Sequence, residues 1–341
     1  MPRKIEGPVR IAIIGTGGIS AVHARGYLKY PDKIKCVALC DIVEERLQKR
    51  SEQLGGVPRQ FKDWKLMLKE MAGQIDAVDI CLPHDLHCPA ILDAAAAGVH
   101  ILCEKPMCIS LAEADQIAAA VAKAGITYMS SHNQLFHPVI VEAKRMIDEG
   151  ELGRVFWIRS QDCFWARGPR KHWGWRAEFA RQGGGELIDT GYHPTYRLLH
   201  LAGARPLSVH AQFGRFHNEL DGEDTASVNI RFANGTIGEV FTSWACNKPF
   251  GQHMIHIAAE KGQLFGTDEN LYFLPRGYDE PCKRSFEKVA SIEYAMGHFA
   301  DCLREGKRPI AGVEEGRAVL EVILKAAESA KGWQETAQLK V

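Results

Sequence analysis

Lys105 is the residue whose setting most directly suggests chemistry. It lies in the run Cys103-Glu104-Lys105-Pro106, next to a rigid proline and just after an apolar stretch typical of a strand. A lysine held in this way can exchange protons with a ligand. Two other segments could act with it, a glycine-rich turn at residues 15–20 and a glycine run that continues into Asp189-Thr190-Gly191-Tyr192-His193. Together the three segments predict a redox enzyme.

The residue types suit the oxidation of an alcohol. A base must take the hydroxyl proton while hydride leaves the carbon, and it works best with a pKa near the operating pH. Burial beside a positive charge lowers the pKa of a lysine toward that range, and a histidine titrates there already. Asp189 and His193 are four residues apart, so on a helical turn they would share a face, where the carboxylate could orient the imidazole. Each signal alone has a simpler explanation as a solvated charge, a surface pair or a helix cap.

The glycine-rich turn predicts a dinucleotide site. Gly15 permits the sharp exit from the first strand, Gly17 lets a diphosphate approach the backbone, and the next helix offers free amides and the positive end of its dipole. Ser20 stands where the pattern has its third glycine. Asp41 follows the second strand at the spacing of a ribose-binding acid and would repel a 2′-phosphate, which favours NAD over NADP. Arg46 argues in the other direction.

Strands and helices alternate through the first 130 residues. This order predicts an α/β fold class with a doubly wound parallel sheet, an NAD-binding Rossmann domain over residues 1–130 whose ligands bind at the carboxyl ends of its strands. The predicted strands cover residues 9–14, 35–41, 76–82, 99–103 and 126–130, and the predicted helices residues 19–30, 44–54, 61–71, 89–97 and 111–124.

Beyond residue 130 the order changes to consecutive strands. The pattern predicts a second, α+β domain over residues 131–341, with a large, mostly antiparallel open sheet. A helix is expected at residues 138–149, strands at 155–160, 207–213, 225–232, 236–243 and 253–259, and closing helices at 292–304 and 314–330. The exposed face of an open sheet needs cover, and self-association is one common solution.

Composition limits the class of partner. The 341 residues contain 42 lysines and arginines against 42 aspartates and glutamates, so no net field attracts nucleic acid or an anionic membrane. The expected partner is a small molecule. No apolar run approaches the roughly 20 residues that span a bilayer, and the N-terminus lacks the apolar core of a signal peptide. These observations predict a cytoplasmic protein, in which the ten cysteines are reduced.

Aromatic and basic residues alternate between residues 156 and 179. Aromatic rings stack on the apolar faces of sugars, while arginine binds hydroxyls or a carboxylate. Single-stranded nucleic acid is a weaker alternative, given the zero net charge. About half of these aromatic residues are expected to pack in the core or in a subunit interface. Trp175 and Arg176, which are nearest the glycine run, are the predicted substrate contacts.

Cys81, His84, His87 and Cys88 suggest zinc at first sight, but their spacing lacks a second tight ligand pair. Asp189 and His193 could also bind a metal, yet nothing supplies the rest of a coordination shell. We therefore predict no metal.

The chain resembles the Gfo/Idh/MocA oxidoreductases, the family named for glucose-fructose oxidoreductase and inositol dehydrogenase. The resemblance covers nearly the whole chain and implies a Rossmann domain followed by an α/β domain with a large open sheet, often in dimers or tetramers. It rests on the glycine turn, residues 82–87 (Leu-Pro-His-Asp-Leu-His), Glu104-Lys105-Pro106, residues 183–193, and the ending from His298 to Ala330. One departure is Leu135, where the family commonly has an arginine.

The resemblance implies that Lys105 and His193 are the catalytic pair and that Asp189 orients them or binds a substrate hydroxyl. The predicted cofactor-binding residues are Gly15, Gly17, Gly18, Ile19, Asp41, Arg46, Leu82, Pro83, His87, Glu104 and Lys105. The predicted substrate-binding residues are Lys105, Asn133, Trp175, Arg176, Asp189 and His193.

The predicted function is hydride transfer between NAD and a secondary hydroxyl of a sugar, glycoside or cyclitol by a homodimer or homotetramer. Two alternatives remain open at this stage. One is an enzyme that keeps its NAD bound and recycles it during elimination or epimerisation, and the other is an NAD-binding regulator without catalysis.

Overall fold

The structure, a computed structural model, describes residues 5–56, 58–247 and 253–331. By contacts, the described residues fall into two compact units. The first unit takes its residues from Met1–Asn133 and Ala290–Ala318, and the second from Gln134–Val289 and Val319–Val341. The domain boundary placed at residue 130 stays a prediction.

A six-stranded sheet forms the centre of the first unit. Its strand order is β3-β2-β1-β4-β5-β6, and every neighbouring pair is parallel. The strands are β1 (Val9–Ile14), β2 (Ile34–Cys40), β3 (Arg59–Phe61), β4 (Ala77–Ile80), β5 (His100–Cys103) and β6 (Tyr128–Ser130). Most of their residues are buried, as expected for a parallel sheet covered on both faces. The predicted Rossmann fold is confirmed.

Helices connect these strands and begin and end at recognisable signals. They are α1 (Gly18–Lys29), α2 (Glu44–Gln53), α3 (Trp64–Glu70), α4 (His87–Ala96) and α5 (Leu111–Ala124), with a 3-10 turn at His84–Leu86. The Ser110 hydroxyl accepts a hydrogen bond from the amide of Glu113 at the start of α5, and Gly125 ends that helix at φ +64°. The helix predicted at residues 61–71 is wrong at its start: Phe61 ends β3, and the Asp63 cap delays the helix to Trp64.

An eight-stranded sheet forms the centre of the second unit, in the order β14-β13-β12-β11-β7-β10-β9-β8. Among the described strands of this sheet only the β7–β10 pair is parallel, so the predicted mostly antiparallel sheet is confirmed. The strands are β7 (Val155–Cys163), β8 (Pro206–Gly214), β9 (Thr225–Phe232), β10 (Ile237–Ser243), β11 (Ile255–Ala259), β12 (Gly262–Gly266), β13 (Asn270–Pro275) and β14 (Cys282–Ser285). The last three were not predicted.

Alternate residues of the central strands are buried against helices of this unit. In β9 these are Ala226, Val228, Ile230 and Phe232. The helices are α6 (Pro138–Asp148), α7 (Arg170–Trp173), α8 (Phe179–Gln182), α9 (Glu186–Asp189) and α10 (Tyr192–Ala202).

The described chain closes with α11 (Ser291–Glu305) and α12 (Val313–Ser329). In the first unit α11 packs on α1, where Gly26 is required because a Cβ there would lie 2.5 Å from Met296 Cγ. No helix in the described part of the chain is long and apolar enough to cross a bilayer.

Candidate cofactor and active site

The glycine turn between β1 and α1 leaves room for a ligand. Gly15 has φ +95°, and a Cβ there would lie 2.5 Å from the carbonyl oxygen of Cys81, so backbone and packing both require glycine. A Cβ on Gly17 or Gly18 would meet nothing within 4 Å. The turn therefore has open space above the N-terminus of α1, where a diphosphate would fit.

The first turn of α1 keeps its amides available. No side chain caps the helix at Gly17, and the first turn contains no acidic residue. Ile19, a predicted cofactor contact, is 36% exposed. The positive end of the helix dipole thus faces the open space, an arrangement that suits a diphosphate.

The Asp41 carboxylate is tied to the glycine turn. Its Oδ2 accepts hydrogen bonds from the Thr16 amide (2.7 Å) and hydroxyl (3.1 Å), and its Oδ1 accepts one from the Val43 amide (2.9 Å). A carboxylate offers about four acceptor sites, so a ribose hydroxyl could still bind. Arg46, the residue that argues against NAD, lies on α2 and is exposed. The fold therefore holds Asp41 more firmly than Arg46.

The loop after β4 contains Leu82 and Pro83, both partly buried, and leads into His87, which is fully buried. The ring nitrogens of His87 lie 2.6 Å from the carbonyl oxygen of Pro106 and 2.9 Å from that of Leu82. His87 thus ties the loop after β4 to the loop after β5. A direct contact between His87 and NAD stays a prediction.

A buried charge network lies beneath the loop after β5. The His23 imidazole, on α1, has Nδ1 2.9 Å from Asp79 Oδ2 and Nε2 3.0 Å from Glu104 Oε1. Burial alone would lower the pKa of His23, but the charge and hydrogen bond of Asp79, with a further contribution from Cys81, raise it well above its usual value. Burial likewise opposes ionisation of Glu104, yet hydrogen bonding and charge from His23 lower its pKa to about 2. His23 is therefore an imidazolium between two carboxylates.

Two more side chains complete this network. The Tyr27 hydroxyl donates to Asp79 Oδ2 at 2.5 Å, and the Cys81 thiol lies 3.6 Å from Asp79 Oδ1. His23, Asp79 and Cys81 are the one group in the described chain whose side chains could together hold a metal. Burial raises the pKa of Cys81 to about 12, so the thiol is protonated, and hydrogen bonds already bind the Asp79 carboxylate. These contacts describe a charge network rather than a metal centre.

Lys105 follows this network directly. Its amide donates to Glu104 Oε2 at 3.2 Å, and its peptide bond to Pro106 is cis. The lysine is partly buried. Glu104 therefore fixes the backbone from which the lysine side chain projects. Asn133, a predicted substrate contact, belongs to the same unit and donates to Ser291 Oγ at 2.9 Å.

The second unit brings three predicted residues together. Arg176 Nε donates to Asp189 Oδ2 at 2.6 Å, and the Arg176 guanidinium lies 4.3 Å from the centre of the Trp175 ring. Asp189 ends α9 and is buried, whereas the Arg176 side chain is 43% exposed. An aromatic face, a guanidinium and a carboxylate at one place can bind a polyhydroxylated molecule.

His193, near the start of α10, is oriented by a neighbour on the same helix. Its Nδ1 lies 2.8 Å from the Tyr196 hydroxyl, which accepts a hydrogen bond from the Gln134 amide at 3.0 Å. Tyr196 is buried, and the side chain of Gln134 in turn accepts a hydrogen bond from the fully buried Arg197. The contact seen at Nδ1 is thus with Tyr196, and the orienting role given to Asp189 stays a prediction.

Glu223, which the sequence did not single out, holds the segment that carries Asp189 and His193. Its Oε1 accepts from the Leu187 amide and its carbonyl oxygen from the Glu186 amide, both at 2.9 Å. A Cβ on Gly185 would lie 2.2 Å from that carbonyl oxygen, so only glycine permits the approach. Burial raises the pKa of Glu223 to about 7. The glycine run is therefore needed for this close contact within the second unit.

Some of the aromatic side chains between positions 156 and 179 pack against the core, and others are exposed. Trp173 stacks on the buried Trp244, with ring centres 4.7 Å apart. Phe156, Phe164 and Trp165 are 40–42% exposed. Packing thus accounts for part of the stretch, as expected.

Two family models together match more than half of the chain. One, described as an oxidoreductase family with an NAD-binding Rossmann fold, matches residues 9–132, and the other, the GFO/IDH/MocA C-terminal domain, matches residues 140–265. The chain belongs to the Gfo/Idh/MocA oxidoreductase family. Membership confirms the resemblance, the NAD cofactor and the expectation of an NAD-dependent oxidoreductase.

Named relatives extend over nearly the full length of the chain. A scyllo-inositol 2-dehydrogenase (NAD(+)) of Bacillus subtilis is 28% identical over 337 residues, which are 95% of each protein. A myo-inositol 2-dehydrogenase of Thermotoga maritima is 27% identical over 333 residues, 92% of this chain and 93% of the relative. The solved structure of a levoglucosan dehydrogenase in complex with NADH and levoglucosan superposes with a TM-score of 0.85 at 21% identity, covering 96% of this chain and 98% of that one. At that identity the likeness shows the fold.

Proposed function

We propose that this oxidoreductase is an NAD-dependent dehydrogenase of a secondary hydroxyl on a sugar, glycoside or cyclitol. The observation that carries the proposal is the Arg176–Asp189 pair beside Trp175, in the same segment as His193. Such a surface offers donors, an acceptor and a ring face to a molecule with several hydroxyls. The inositol dehydrogenases among the relatives act on substrates of this class by their names.

Lys105 is the proposed base. When bound, NAD supplies the nicotinamide carbon that accepts the hydride. The Lys105 amine takes the proton of the reacting hydroxyl, and the contact between its amide and Glu104 keeps the lysine backbone in place. General bases of this kind contribute typically 10²–10⁴ to the rate.

His193 and Asp189 are the proposed partners of the lysine. Because Tyr196 engages Nδ1 of His193, we assign to Nε2 the relay of the one proton that Lys105 takes from the hydroxyl. Asp189, held by Arg176, accepts a hydrogen bond from a substrate hydroxyl and sets its orientation.

Absorbance of reduced nicotinamide tests the proposal. The protein and NAD are mixed with a panel of cyclitols, aldoses, glycosides and sugar acids, and substrate consumption is followed separately by chromatography. A rising absorbance with one class supports the dehydrogenase. Consumption without a rise would show that NAD is recycled on the enzyme, and neither signal over the whole panel would favour a regulator that only binds NAD.

Asp41 gives a prediction about the cofactor. The unmodified protein is expected to bind NAD at least about tenfold more tightly than NADP, because the carboxylate repels a 2′-phosphate. Asp41→Asn should reduce that preference, whereas Asp32→Asn, at an exposed site, should leave it unchanged. Isothermal titration with both nucleotides measures the ratio. Tighter binding of NADP by the unmodified protein would contradict the assignment.

We also propose that the protein associates with further copies of itself through the second sheet. A row of aromatic side chains crosses β7, β11, β12 and β13, with Phe265 and Tyr272 stacked and 5.4 Å apart. The members are Trp157, His256, Phe265 and Tyr272, all partly exposed. A partly exposed aromatic row is suited to contact with a second copy, and sedimentation equilibrium measures whether dimers or tetramers form.

A further inference from the structure

Arg50 is a buried cation beneath the glycine turn. It lies on α2 and is only 4% exposed. Its Nε donates to Ser20 Oγ at 3.0 Å, its Nη2 to the carbonyl oxygen of Gly17 at 3.2 Å, and its Nη1 to the side chain of Gln53. All three acceptors are uncharged.

No carboxylate in the described part of the chain forms an ion pair with Arg50. The acid of the turn, Asp41, accepts its hydrogen bonds from Thr16 and Val43 instead. Burial lowers the pKa of Arg50, but an arginine still remains protonated at neutral pH. Burying a charge without a charged partner costs free energy. Other buried charges of this unit, His23 with Asp79 and Glu104, are paired, so the unpaired Arg50 needs an explanation.

Ser20, which replaces the third glycine of the pattern, is also one of the residues that bind Arg50. Its hydroxyl donates to the Gly17 carbonyl oxygen at 2.8 Å and accepts from Arg50. A glycine at this position would offer no hydroxyl to hold the guanidinium. The serine in place of the third glycine and the arginine on α2 therefore act together.

The positive charge lies close to the start of α1. Gly17, whose carbonyl Arg50 binds, precedes the first turn of α1, and that turn has no acidic residue. Above it, Gly17 and Gly18 leave open space. The dipole of α1 and the guanidinium would both attract an anion there.

We propose that Arg50, held by Ser20, supplies the fixed positive charge of the diphosphate-binding site and strengthens NAD binding through the field it exerts on the diphosphate. The unpaired cation of the ligand-free protein gains its counter-charge when the dinucleotide binds. This inference concerns cofactor binding alone and does not depend on the substrate.

A series of adenine ligands tests the proposal by isothermal titration or by competition with NADH fluorescence. In Arg50→Gln the affinities for NAD and ADP should fall about tenfold, because a unit charge near the diphosphate is lost. The affinity for adenosine, which has no phosphate, should change less than twofold. Raising the salt concentration should narrow the difference between variant and unmodified protein for NAD and ADP.

Two further variants separate charge from architecture. Arg50→Lys keeps the charge and should retain most of the affinity for ADP, while Lys49→Gln, at an exposed position of the same helix, should change it less than twofold. Equal losses for adenosine and ADP in Arg50→Gln would overturn the proposal and make Arg50 a structural link between α1 and α2. Unchanged ADP binding would overturn it as well. Neither outcome bears on the proposed dehydrogenase activity, since no substrate is present.

Discussion

Replacing Lys105 with methionine is expected to lower kcat by 10²–10⁴ with the substrate found in the panel, because the proposed base is lost while the shape of the side chain is nearly kept. The affinity for NAD should change much less, since the contacts of the glycine turn do not involve this residue. Steady-state kinetics and NAD titration on the same preparation measure the two effects.

The matched control is Lys123→Met, an exposed lysine of the first unit, which should leave kcat within twofold. If Lys105→Met kept the kcat of the unmodified enzyme, the proposed proton transfer would be wrong. A fall in kcat accompanied by an equal loss of NAD affinity would assign Lys105 to cofactor binding alone.

Replacing His23 with alanine is expected to cost about 3–5 kcal/mol in the free energy of unfolding, because it leaves the carboxylates of Asp79 and Glu104 facing each other without their buried counter-charge. Urea unfolding at pH 6 measures the change. His210→Ala, at an exposed site, should stay within about 0.5 kcal/mol of the unmodified protein.

The network also predicts how this stabilisation varies with pH. Since the folded-state pKa of His23 is raised, its contribution is complete below the usual value of about 6.5 and is lost as pH rises through the raised value. Glu104, with a pKa lowered to about 2, contributes fully above about 4.3 and loses that contribution as pH falls toward 2. The difference between the unmodified protein and His23→Ala should therefore be largest between about pH 4.5 and 6.5. A difference that did not change over pH 3–10 would exclude an ionised network.

The first unit was predictable from the sequence because its signals are local. Apolar β-branched runs such as Val9–Ile14, a glycine turn and Asp41 lie at the spacings that the fold requires. The error at residues 61–71 arose because the short strand Arg59–Phe61 has no apolar pattern of its own, and three residues suffice when a neighbouring strand provides the register.

The supporting residues of the site could not be found in this way. His23, Glu223 and Arg50 act through partners 56, 36 and 30 residues away in the chain, so no spacing pattern indicates them. A weak signal existed for Arg50, since Ser20 departs from the glycine pattern and a buried hydroxyl needs a partner. The strands β12–β14 were missed because their alternation includes glycine and charged residues at the edge of the sheet.

The Asp41 carboxylate both anchors Thr16 and is the predicted partner of the ribose, so a change of cofactor preference cannot be engineered at this residue alone. A small neutral residue chosen to admit a 2′-phosphate would also remove the acceptor of the Thr16 amide and hydroxyl. The backbone of the diphosphate site would then lose its anchor at the moment the new specificity is introduced, so both nucleotides would bind more weakly. A successful exchange in this chain therefore needs a second substitution that supplies a new acceptor for Thr16, and libraries varied at position 41 alone would miss it.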